Sequence, residues 1–299
     1  MIIVKISGGL GNQLFQYALA KAIEQKRGLE VKLDTSFFNL PAGSITPRKF
    51  LLDKFNISLK IAKREDFHKI GVPYPTDKTL KENLRRLIFK LIEFFKTKQN
   101  KKIIIDHNLN FNEATLNIPD NRYISGSWTN QKYFINIKNI LQKELCPKFT
   151  IGSATKKILD NIIKTNSVGI HIRRSDYLKY THKFVILTEK YYDRAVQLIK
   201  EKESEPIFFI FSDDITYVKK NYANIFGDTT VYVSGKNITD YEEFWLLSKC
   251  KHNIIANSTF SWWGAWLNNN SNKMIVAPNQ YRTDNKDMSG FIPSEWISI

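Results

Sequence analysis

The segment at residues 168–177 brings one histidine, two arginines and one aspartate together at the end of an apolar run. Because side chains alternate along a strand, His171 and Arg173 are predicted to share one face while Arg174 takes the other. A guanidinium group matches phosphate oxygens bidentately, so Arg173 is a candidate for stabilising a departing diphosphate. Asp176 is the candidate general base for an attacking hydroxyl, or it only pairs with Arg174.

Two adjacent aspartates, Asp213 and Asp214, follow the apolar run at residues 207–211. A carboxylate at this point can accept the N1–H and N2–H of a guanine base, or it can cap the next helix. Metal-diphosphate motifs usually separate their acids by one residue, and these acids are adjacent. The histidines share no metal-ligand spacing either, so we predict no metal site.

Small polar residues also follow the apolar run at residues 254–256, just before a helical pattern begins. The N–H groups at a helix N-terminus point at bound anions, so this segment is predicted to seat phosphate groups. The candidate residues are Asn257, Ser258, Thr259 and Ser261. Three tryptophans at helical spacing come next, either as core residues or with one stacked on a sugar: Trp262, Trp263 and Trp266.

A glycine-rich turn joins the first apolar run to a helical pattern. It nearly matches a dinucleotide fingerprint, with Gly9 and Gly11 as its first glycines, but Leu14 stands where the third small residue is needed. The alternative is a loop that lets a sugar approach the backbone, with Asn12 and Gln13 as hydrogen-bond donors. A tight turn with no ligand explains the pattern equally well.

Strand and helix patterns alternate along the chain, and this order predicts parallel sheets covered by helices. Two such runs flank a break at residues 147–152. We therefore predict two Rossmann-like α/β domains facing a cleft, at residues 1–152 and 153–299, with the last residues able to pack back on the first domain. Ligands of such sheets bind beyond the carboxyl ends of the strands, where the polar residues above lie.

The chain of 299 residues has a net charge of +16, which attracts nucleic acid, anionic lipid or phosphorylated small molecules. Lysines are spread along the whole chain and no nucleic-acid-binding signature is present, so no nucleic-acid partner is predicted. No leader pattern is visible and no apolar stretch reaches 18 residues, which predicts a cytoplasmic protein. Cys146 and Cys250 match no metal motif and are expected to be buried thiols.

A basic amphipathic helix is predicted at Asn83–Lys102. Its basic residues flank an apolar stripe: Arg85, Arg86, Lys90, Lys96, Lys98, Lys101 and Lys102. The favoured interpretation is that the stripe packs on its own domain. The alternative is peripheral contact with the inner face of the membrane, where lipid-linked glycans are built.

Four segments together resemble the bacterial α-1,2-fucosyltransferases: SGGLGNQLFQYA from Ser7, HIRRSDY from His171, FSDD from Phe211 and CKHNIIANSTFSWWGAWL from Cys250. The likeness covers essentially the full length, and the tryptophan-rich segment points to the α-1,2 group. It implies a GT-B-like fold with an acceptor-side first domain and a GDP-fucose-binding second domain. It also implies inversion at the anomeric carbon, with neither cofactor nor metal.

The same resemblance implies roles for individual residues. Arg173 would hold the β-phosphate, His171 and Asp213 or Asp214 would lie by the guanine, and Ser261 would lie by the phosphates. The expected acceptor is a galactose-containing oligosaccharide or a lipid-linked glycan, bound through the first domain.

Two other functions compete with this interpretation. An NAD-dependent oxidoreductase would use the glycine-rich turn, with Asp34 about 20 residues further on as the ribose ligand. That function leaves the arginine motif unexplained. A basic nucleic-acid-binding protein would account for the charge, and a non-catalytic lectin-like module would need no phosphate-binding arginines.

Overall fold

The computed structural model describes residues 1–39, 48–77, 79–97, 100–106, 109–235, 237–284, 288 and 290–299. The chain divides into two compact units, Met1–Cys146 and Pro147–Ile299. The break at residues 147–152 therefore lies at the start of the second unit. Each unit is a parallel sheet with helices packed on it, as the alternating pattern predicts.

The sheet of the first unit has the strand order β3-β2-β1-β5-β4, with every pair parallel. Its strands are β1 Ile2–Lys5, β2 Val31–Asp34, β3 Lys60–Ile61, β4 Ile103–Asp106 and β5 Arg122–Gly126. Its α-helices are α1 Leu10–Arg27, α2 Arg64–Lys69, α3 Leu80–Phe94 and α4 Lys138–Glu144. The apolar side chains of β1 are fully buried, so the core of this unit surrounds its central strand.

The first helix, α1, begins directly after the glycine-rich turn and ends at Gly28. Gly28 adopts the left-handed backbone conformation, which glycine takes without the steric cost that a Cβ would bring. At the turn itself Gly8 has the positive φ of +78°, and a Cβ there would lie 2.7 Å from the side-chain amide of Asn12. Gly8 is thus the glycine that the turn requires.

The predicted basic helix corresponds to α3, which begins earlier and ends earlier than the sequence pattern indicates. Residues 98–99 of the predicted span lie outside the described residues. The expectation that its apolar stripe packs on the first domain is wrong, because the stripe faces solvent. The inward face of α3 carries two glutamates and one phenylalanine instead: Glu82, Phe89 and Glu93.

The sheet of the second unit has the order β11-β10-β9-β6-β7-β8, again with every pair parallel. Its strands are β6 Ser167–Ile172, β7 Ile207–Ser212, β8 Val231–Tyr232, β9 His252–Ile254, β10 Ile275–Ala277 and β11 Ile297–Ser298. Its α-helices are α5 Ser153–Lys164, α6 Glu189–Lys200, α7 Ile215–Asn221, α8 Ala223–Phe226, α9 Asp240–Lys249 and α10 Thr259–Trp266. The final residues pair with β10, and their expected packing on the first domain stays a prediction.

Close packing fixes α9 and α10 against the central strand β6. The side chain of Leu247 on α9 fits between Gly169 on β6 and Gly264 on α10. A Cβ would lie 2.7 Å from Leu247 at the first glycine and 2.8 Å from it at the second, both closer than atoms can pack. The two glycines therefore set the depth at which the segment after β9 approaches the end of β6.

No helix among the described residues is long and apolar enough to span a membrane. Of the two cysteines, Cys250 is buried as expected, whereas Cys146 is exposed, which corrects that part of the prediction. The exposed thiol follows directly after α4, at the end of the first unit.

Candidate functional site

The candidate site lies at the carboxyl edge of the second sheet. Strands β9, β6 and β7 are neighbours and run parallel, so the segments that leave their carboxyl ends emerge side by side. The register of β6 and β7 pairs Ile172 with Ser212, which brings Arg173 next to Asp213. The sequence motifs after these strands are thus brought together by topology.

Asp213 anchors the loop that follows β6. Its carboxylate accepts hydrogen bonds from the backbone N–H of Arg174 at 2.9 Å and of Ser175 at 3.2 Å. The same carboxylate lies 3.3 Å from Nη1 of Arg173, and the Ser175 hydroxyl donates to the Asp213 carbonyl at 3.0 Å. One side chain from the end of β7 therefore fixes the backbone of the loop and one of its arginines.

Arg173 is held in a bidentate pair by Asp176. Its Nε donates to one carboxylate oxygen at 2.9 Å and its Nη2 to the other at 2.6 Å. The alternative in which Asp176 pairs with Arg174 is therefore wrong, since Asp176 pairs with Arg173. Both oxygens of Asp176 contact Arg173, an arrangement suited to positioning the arginine, and the general-base role of Asp176 stays a prediction.

The guanidinium of Arg173 has N–H groups beyond those that the two carboxylates take. Of its five N–H groups, the bidentate pair uses two, and Asp213 faces the Nη1 nitrogen. The side chain is 21% exposed, so this cation is fixed in place and still reachable from solvent. A fixed, accessible guanidinium is suited to binding a phosphate.

Arg174 and Asp214 form a second pair beside the first. Their closest approach is 3.4 Å, from Nε to a carboxylate oxygen, and the guanidinium lies 3.5 Å above the ring centroid of Tyr217. Asp214 also caps α7 by accepting the backbone N–H of Tyr217 at 3.2 Å. The capping role that the sequence allowed for this aspartate is thus present, and Arg174 is held on an aromatic face.

His171 lies at the end of β6, buried and only 4% exposed. Burial, with a further contribution from Arg173, lowers its pKa to about 3, so the ring is neutral throughout the physiological range. Its Nδ1 atom is buried and has no hydrogen-bond partner among the residues that the structure describes. The ring packs against Phe260 with centroids 5.1 Å apart.

The segment after β9 begins α10, as predicted, but its polar side chains face in different directions. Ser258 caps the helix by accepting the N–H of Phe260. Ser261 is fully buried, and its hydroxyl donates to the carbonyls of Ala256 and Ser258. The expectation that Ser261 lies by the phosphates is not matched by this placement, whereas Thr259 in the first turn is partly exposed.

Asn257 and Tyr177 tie two of these segments together. The Tyr177 hydroxyl donates to the Asn257 carbonyl at 2.7 Å, and the Tyr177 ring stacks on Phe184 with centroids 4.4 Å apart. The Asn257 amide donates to the carbonyls of Val185 and Tyr281. Its Oδ1 atom is buried without a hydrogen-bond partner among the described residues.

The partly buried carboxyl group of Glu243 is a candidate that strand-end motifs do not reveal. It lies near the start of α9, and the Ser234 hydroxyl donates to it at 2.8 Å while accepting the N–H of Ser212 at 2.9 Å. Burial raises the pKa of Glu243 to about 7. A shifted carboxyl group beside the end of β7 is typical of functional sites, but its helical position gave no sequence signal.

The glycine-rich turn of the first unit uses its polar side chains internally. The Gln13 amide donates to the carbonyls of Gly8 and Lys49 and accepts the N–H of Leu51, and the residue is fully buried. The interpretation of Gln13 as a hydrogen-bond donor to a sugar is therefore wrong, since it holds the segment at residues 48–51. Asn12 is exposed in the first turn of α1, Gly11 is buried in the helix, and Gly9 caps it.

Asp34 is also used internally. It is 2% exposed and accepts hydrogen bonds from the Ser36 N–H and the Tyr123 hydroxyl, both at 2.8 Å. A carboxylate in this position is not available to a ribose. The oxidoreductase alternative therefore has no support from the residue on which it depended.

The three tryptophans of α10 are core residues. Trp262 and Trp263 are fully buried and Trp266 is 2% exposed, so none of them presents a face to a sugar. The indole N–H of Trp262 donates to the Phe291 carbonyl at 2.7 Å. The core interpretation of this stripe is the one that the structure bears out.

Within the described part of the chain, no group of three or more His, Cys, Asp or Glu side chains is placed to hold a metal ion. The carboxylates of the site face arginines and backbone N–H groups instead. The cationic groups that follow β6 at this edge of the sheet are Arg173 and Arg174.

Two α/β units, each with a parallel sheet, are the architecture of the GT-B fold class. The solved structure of the NodZ α-1,6-fucosyltransferase soaked with GDP-fucose has this fold, with a TM-score of 0.50, 12% identity, and coverage of 89% of this chain and 91% of that one. The likeness is one of fold. The model of glycosyl transferase family 11 matches residues 1–299, and the chain belongs to that family.

Curated relatives agree with this assignment. An α-1,2-colitosyltransferase of Escherichia coli is 32% identical over 100% of this chain and 99% of its own length. A galactoside 2-α-L-fucosyltransferase, SEC1 of Bos taurus, is 26% identical over 53% of this chain and 47% of its own length. The predicted family and the predicted GT-B fold class are confirmed, and the oxidoreductase and nucleic-acid-binding alternatives find no support.

Proposed function

We propose that the protein transfers L-fucose from GDP-fucose to the 2-hydroxyl of a galactose-type residue, with inversion and without a metal. The observation that carries this proposal is the guanidinium of Arg173, fixed by Asp176 and Asp213 at the edge of the second sheet in a family 11 chain. The relatives named above support the α-1,2 linkage and the class of acceptor.

The reaction is an in-line displacement at the anomeric carbon. GDP-fucose is β-linked, so attack by the acceptor hydroxyl from the opposite face gives an α-linkage. The bond from the sugar to the β-phosphate breaks as the new bond forms, and negative charge grows on the departing diphosphate. The acceptor hydroxyl gives up its proton to a general base, for which Asp176 is the candidate. Arg173 is the group proposed to stabilise that charge, and its carboxylate partners keep it in place before the donor binds.

Base recognition is assigned to Glu243 in this proposal. Asp213 and Asp214 are committed to the loop, to the cap of α7 and to the two arginines. Glu243 has one serine partner and a carboxyl group that can accept two parallel N–H bonds from guanine. We propose that His171 and Asn257 contribute the orphaned Nδ1 and Oδ1 atoms to the same donor site.

The phosphates are proposed to meet the start of α10 as well as Arg173. Ser258 and Thr259 lie at that N-terminus, and the backbone N–H groups at a helix N-terminus favour bound anions. The proposed acceptor, a galactose-containing oligosaccharide or lipid-linked glycan, is expected to use the first unit near Asn12.

Incubation of the protein with GDP-fucose and lactose, with and without EDTA, tests the proposal. The expected result is an α-1,2-fucosylated product, identified by mass and linkage analysis, in equal amounts under both conditions. Loss of product with EDTA would refute metal independence. Absence of both GDP release and GDP binding would refute the choice of donor.

Colitose is the second candidate sugar, because a relative that matches the whole chain is a colitosyltransferase. Colitose is fucose without its 3-hydroxyl, so the two donors differ by one hydrogen-bonding group. Competition between GDP-fucose and GDP-colitose in one reaction measures the ratio of their kcat/KM values directly. If the kcat/KM for GDP-fucose exceeds that for GDP-colitose, the fucose proposal is supported. If it is lower, colitose transfer replaces the proposal.

A further inference from the structure

Helix α3 presents its apolar face to solvent. Eight large apolar side chains of this helix and the residue after it are between 48% and 89% exposed: Leu80, Leu84, Leu87, Ile88, Leu91, Ile92, Phe94 and Phe95. They recur at spacings of three and four residues, so they form one continuous stripe along the helix. Soluble monomers rarely expose a contiguous apolar surface of this kind unless something binds it.

The opposite face of α3 holds the helix to the first unit. Glu82 is fully buried; it accepts the N–H of Tyr74 at 2.8 Å and lies 3.2 Å from both His68 and Arg85. Glu93 accepts the N–H of Lys102 at 2.7 Å and pairs with Lys96 at 2.7 Å.

Phe89 adds an apolar contact with the cluster around Phe67 and Tyr123. The helix is therefore anchored by its acids and one ring, and the exposed stripe is not needed for its attachment.

The charge around the stripe indicates which kind of surface binds to it. Residues 80–102 contain eight Lys or Arg and only two acids, and both acids are the buried Glu82 and Glu93. Residues 1–146 contain 25 Lys and Arg against 13 Asp and Glu, whereas residues 147–299 contain 20 against 16. Most of the positive charge thus lies in the unit that carries α3. A second copy would bring equal charge to this surface and be repelled, while an anionic surface is attracted.

The length of α3 sets how it can meet a bilayer. Its 15 residues span roughly 22 Å, which is shorter than the hydrocarbon core of a bilayer. It therefore suits an orientation in the plane of the interface. Lys81 and Lys90 lie at the edges of the stripe, where they would face phosphate headgroups while the leucines enter the acyl region.

We propose that α3 docks the protein on anionic phospholipid bilayers, with the stripe from Leu80 to Phe95 buried at the interface. This proposal is independent of the donor and of the acceptor. It gives the enzyme a place at a membrane surface through a helix that lies in the plane of the interface.

Co-sedimentation with lipid vesicles tests the proposal. Full-length protein is mixed with vesicles of phosphatidylcholine alone or with one third phosphatidylglycerol, at low and at physiological salt. The wild type is expected to bind the anionic vesicles and to bind them less as salt rises. For the double variant Leu87→Ser/Leu91→Ser, the affinity for the anionic vesicles is expected to fall at least about tenfold.

Ile163→Ser supplies the matched control, because Ile163 is 62% exposed on α5 of the second unit. It is expected to bind as the wild type does. Circular dichroism verifies that both variants fold, and the changed side chains are all exposed.

No binding by the wild type, or full binding by the double variant, overturns the proposal. A concentration-dependent dimer that the double variant dissolves would also overturn it, since the stripe would then be covered by a second copy.

Discussion

The loops that follow the central strands β1 and β6 differ in how their polar side chains are satisfied. After β6, the loop contains two arginines whose partners are carboxylates from its own turn and from the end of β7. After β1, Gln13 and Gln16 bond to backbone groups of Gly8, Lys49 and Gly126. The loop after β6 concentrates charge at the end of its strand. The glutamines after β1 spend their hydrogen bonds on the backbone of the first unit.

This difference separates chemistry from architecture. A polar side chain at a strand end marks a site only if groups remain for a ligand after the protein's own bonds are made. Arg173 retains such groups, whereas Gln13 does not. The following predictions test that distinction, beginning with the largest expected effect.

Removal of the arginine should have the largest effect. Arg173→Ala is expected to lower kcat with GDP-fucose by roughly 100-fold or more, since it removes the cation that stabilises the departing diphosphate. Initial rates of GDP release measure the change. Arg174→Ala is the control, because its guanidinium is stacked on Tyr217, and it should lose far less activity. Equal losses in the two variants would contradict the distinct role of Arg173.

Asp176→Asn should weaken donor binding as well as turnover. The neutral amide offers one acceptor oxygen and no charge, so it cannot form the bidentate ion pair with the guanidinium. Arg173 then becomes mobile, and the Kd of GDP is expected to rise about tenfold. Calorimetry measures that Kd, and steady-state kinetics measures kcat. A fall in kcat with an unchanged Kd would instead support Asp176 as the general base.

Glu243 should make GDP binding depend on pH. Its pKa is raised to about 7, so the carboxyl is mostly protonated at pH 6 and mostly ionised at pH 8. Guanine N–H groups bind the ionised form, and we expect affinity to rise by up to about tenfold between those values. His171, with its pKa lowered to about 3, stays neutral and adds nothing over this range.

Comparison with Glu243→Gln isolates that contribution, because the ionisation of GDP itself is common to both proteins. The variant should show a flatter pH profile and a smaller preference for GDP over IDP, which lacks the guanine amino group. Identical profiles for the variant and the wild type would remove Glu243 from the donor site.

Gln13→Ala should affect stability more than catalysis. It removes a fully buried side chain that accepts the N–H of the half-buried Leu51, and the free energy of unfolding is expected to fall by about 1–3 kcal/mol. Denaturant titration measures this loss, with the exposed Asn12→Ala as the milder control. If Gln13→Ala kept full stability but lost acceptor affinity, the loop after β1 would be a binding loop after all.

Much of the fold was predictable because the patterns are strong. The strand Val31–Asp34 and the helix beginning at Asp240 lie where periodicity indicates. The gathering of three motifs at one edge follows from parallel strands. The pairing of Asp176 was not predictable, since it depends on the turn that the loop adopts after β6.

The other incorrect or missing predictions concern residues in helices, where the sequence pattern does not show which way a side chain faces. Ser261 was expected to lie by the phosphates, but its position in the first turn of α10 directs its hydroxyl to the carbonyls of Ala256 and Ser258. Glu243 gave no signal because it stands in a helix. The orientation of α3 was missed because an amphipathic pattern shows that two faces differ and does not show which one meets the protein.

The carboxylate of Asp213 contacts two backbone N–H groups and one guanidinium, so the contributions of these groups to the stability of the loop after β6 depend on one another. We expect substitutions at Arg173, Asp176 and Asp213 to be strongly non-additive. Evolution then has few single steps through this loop that keep an active enzyme. Changes of donor sugar within the family should accordingly arise at residues that touch the sugar ring, while the loop is inherited as one block.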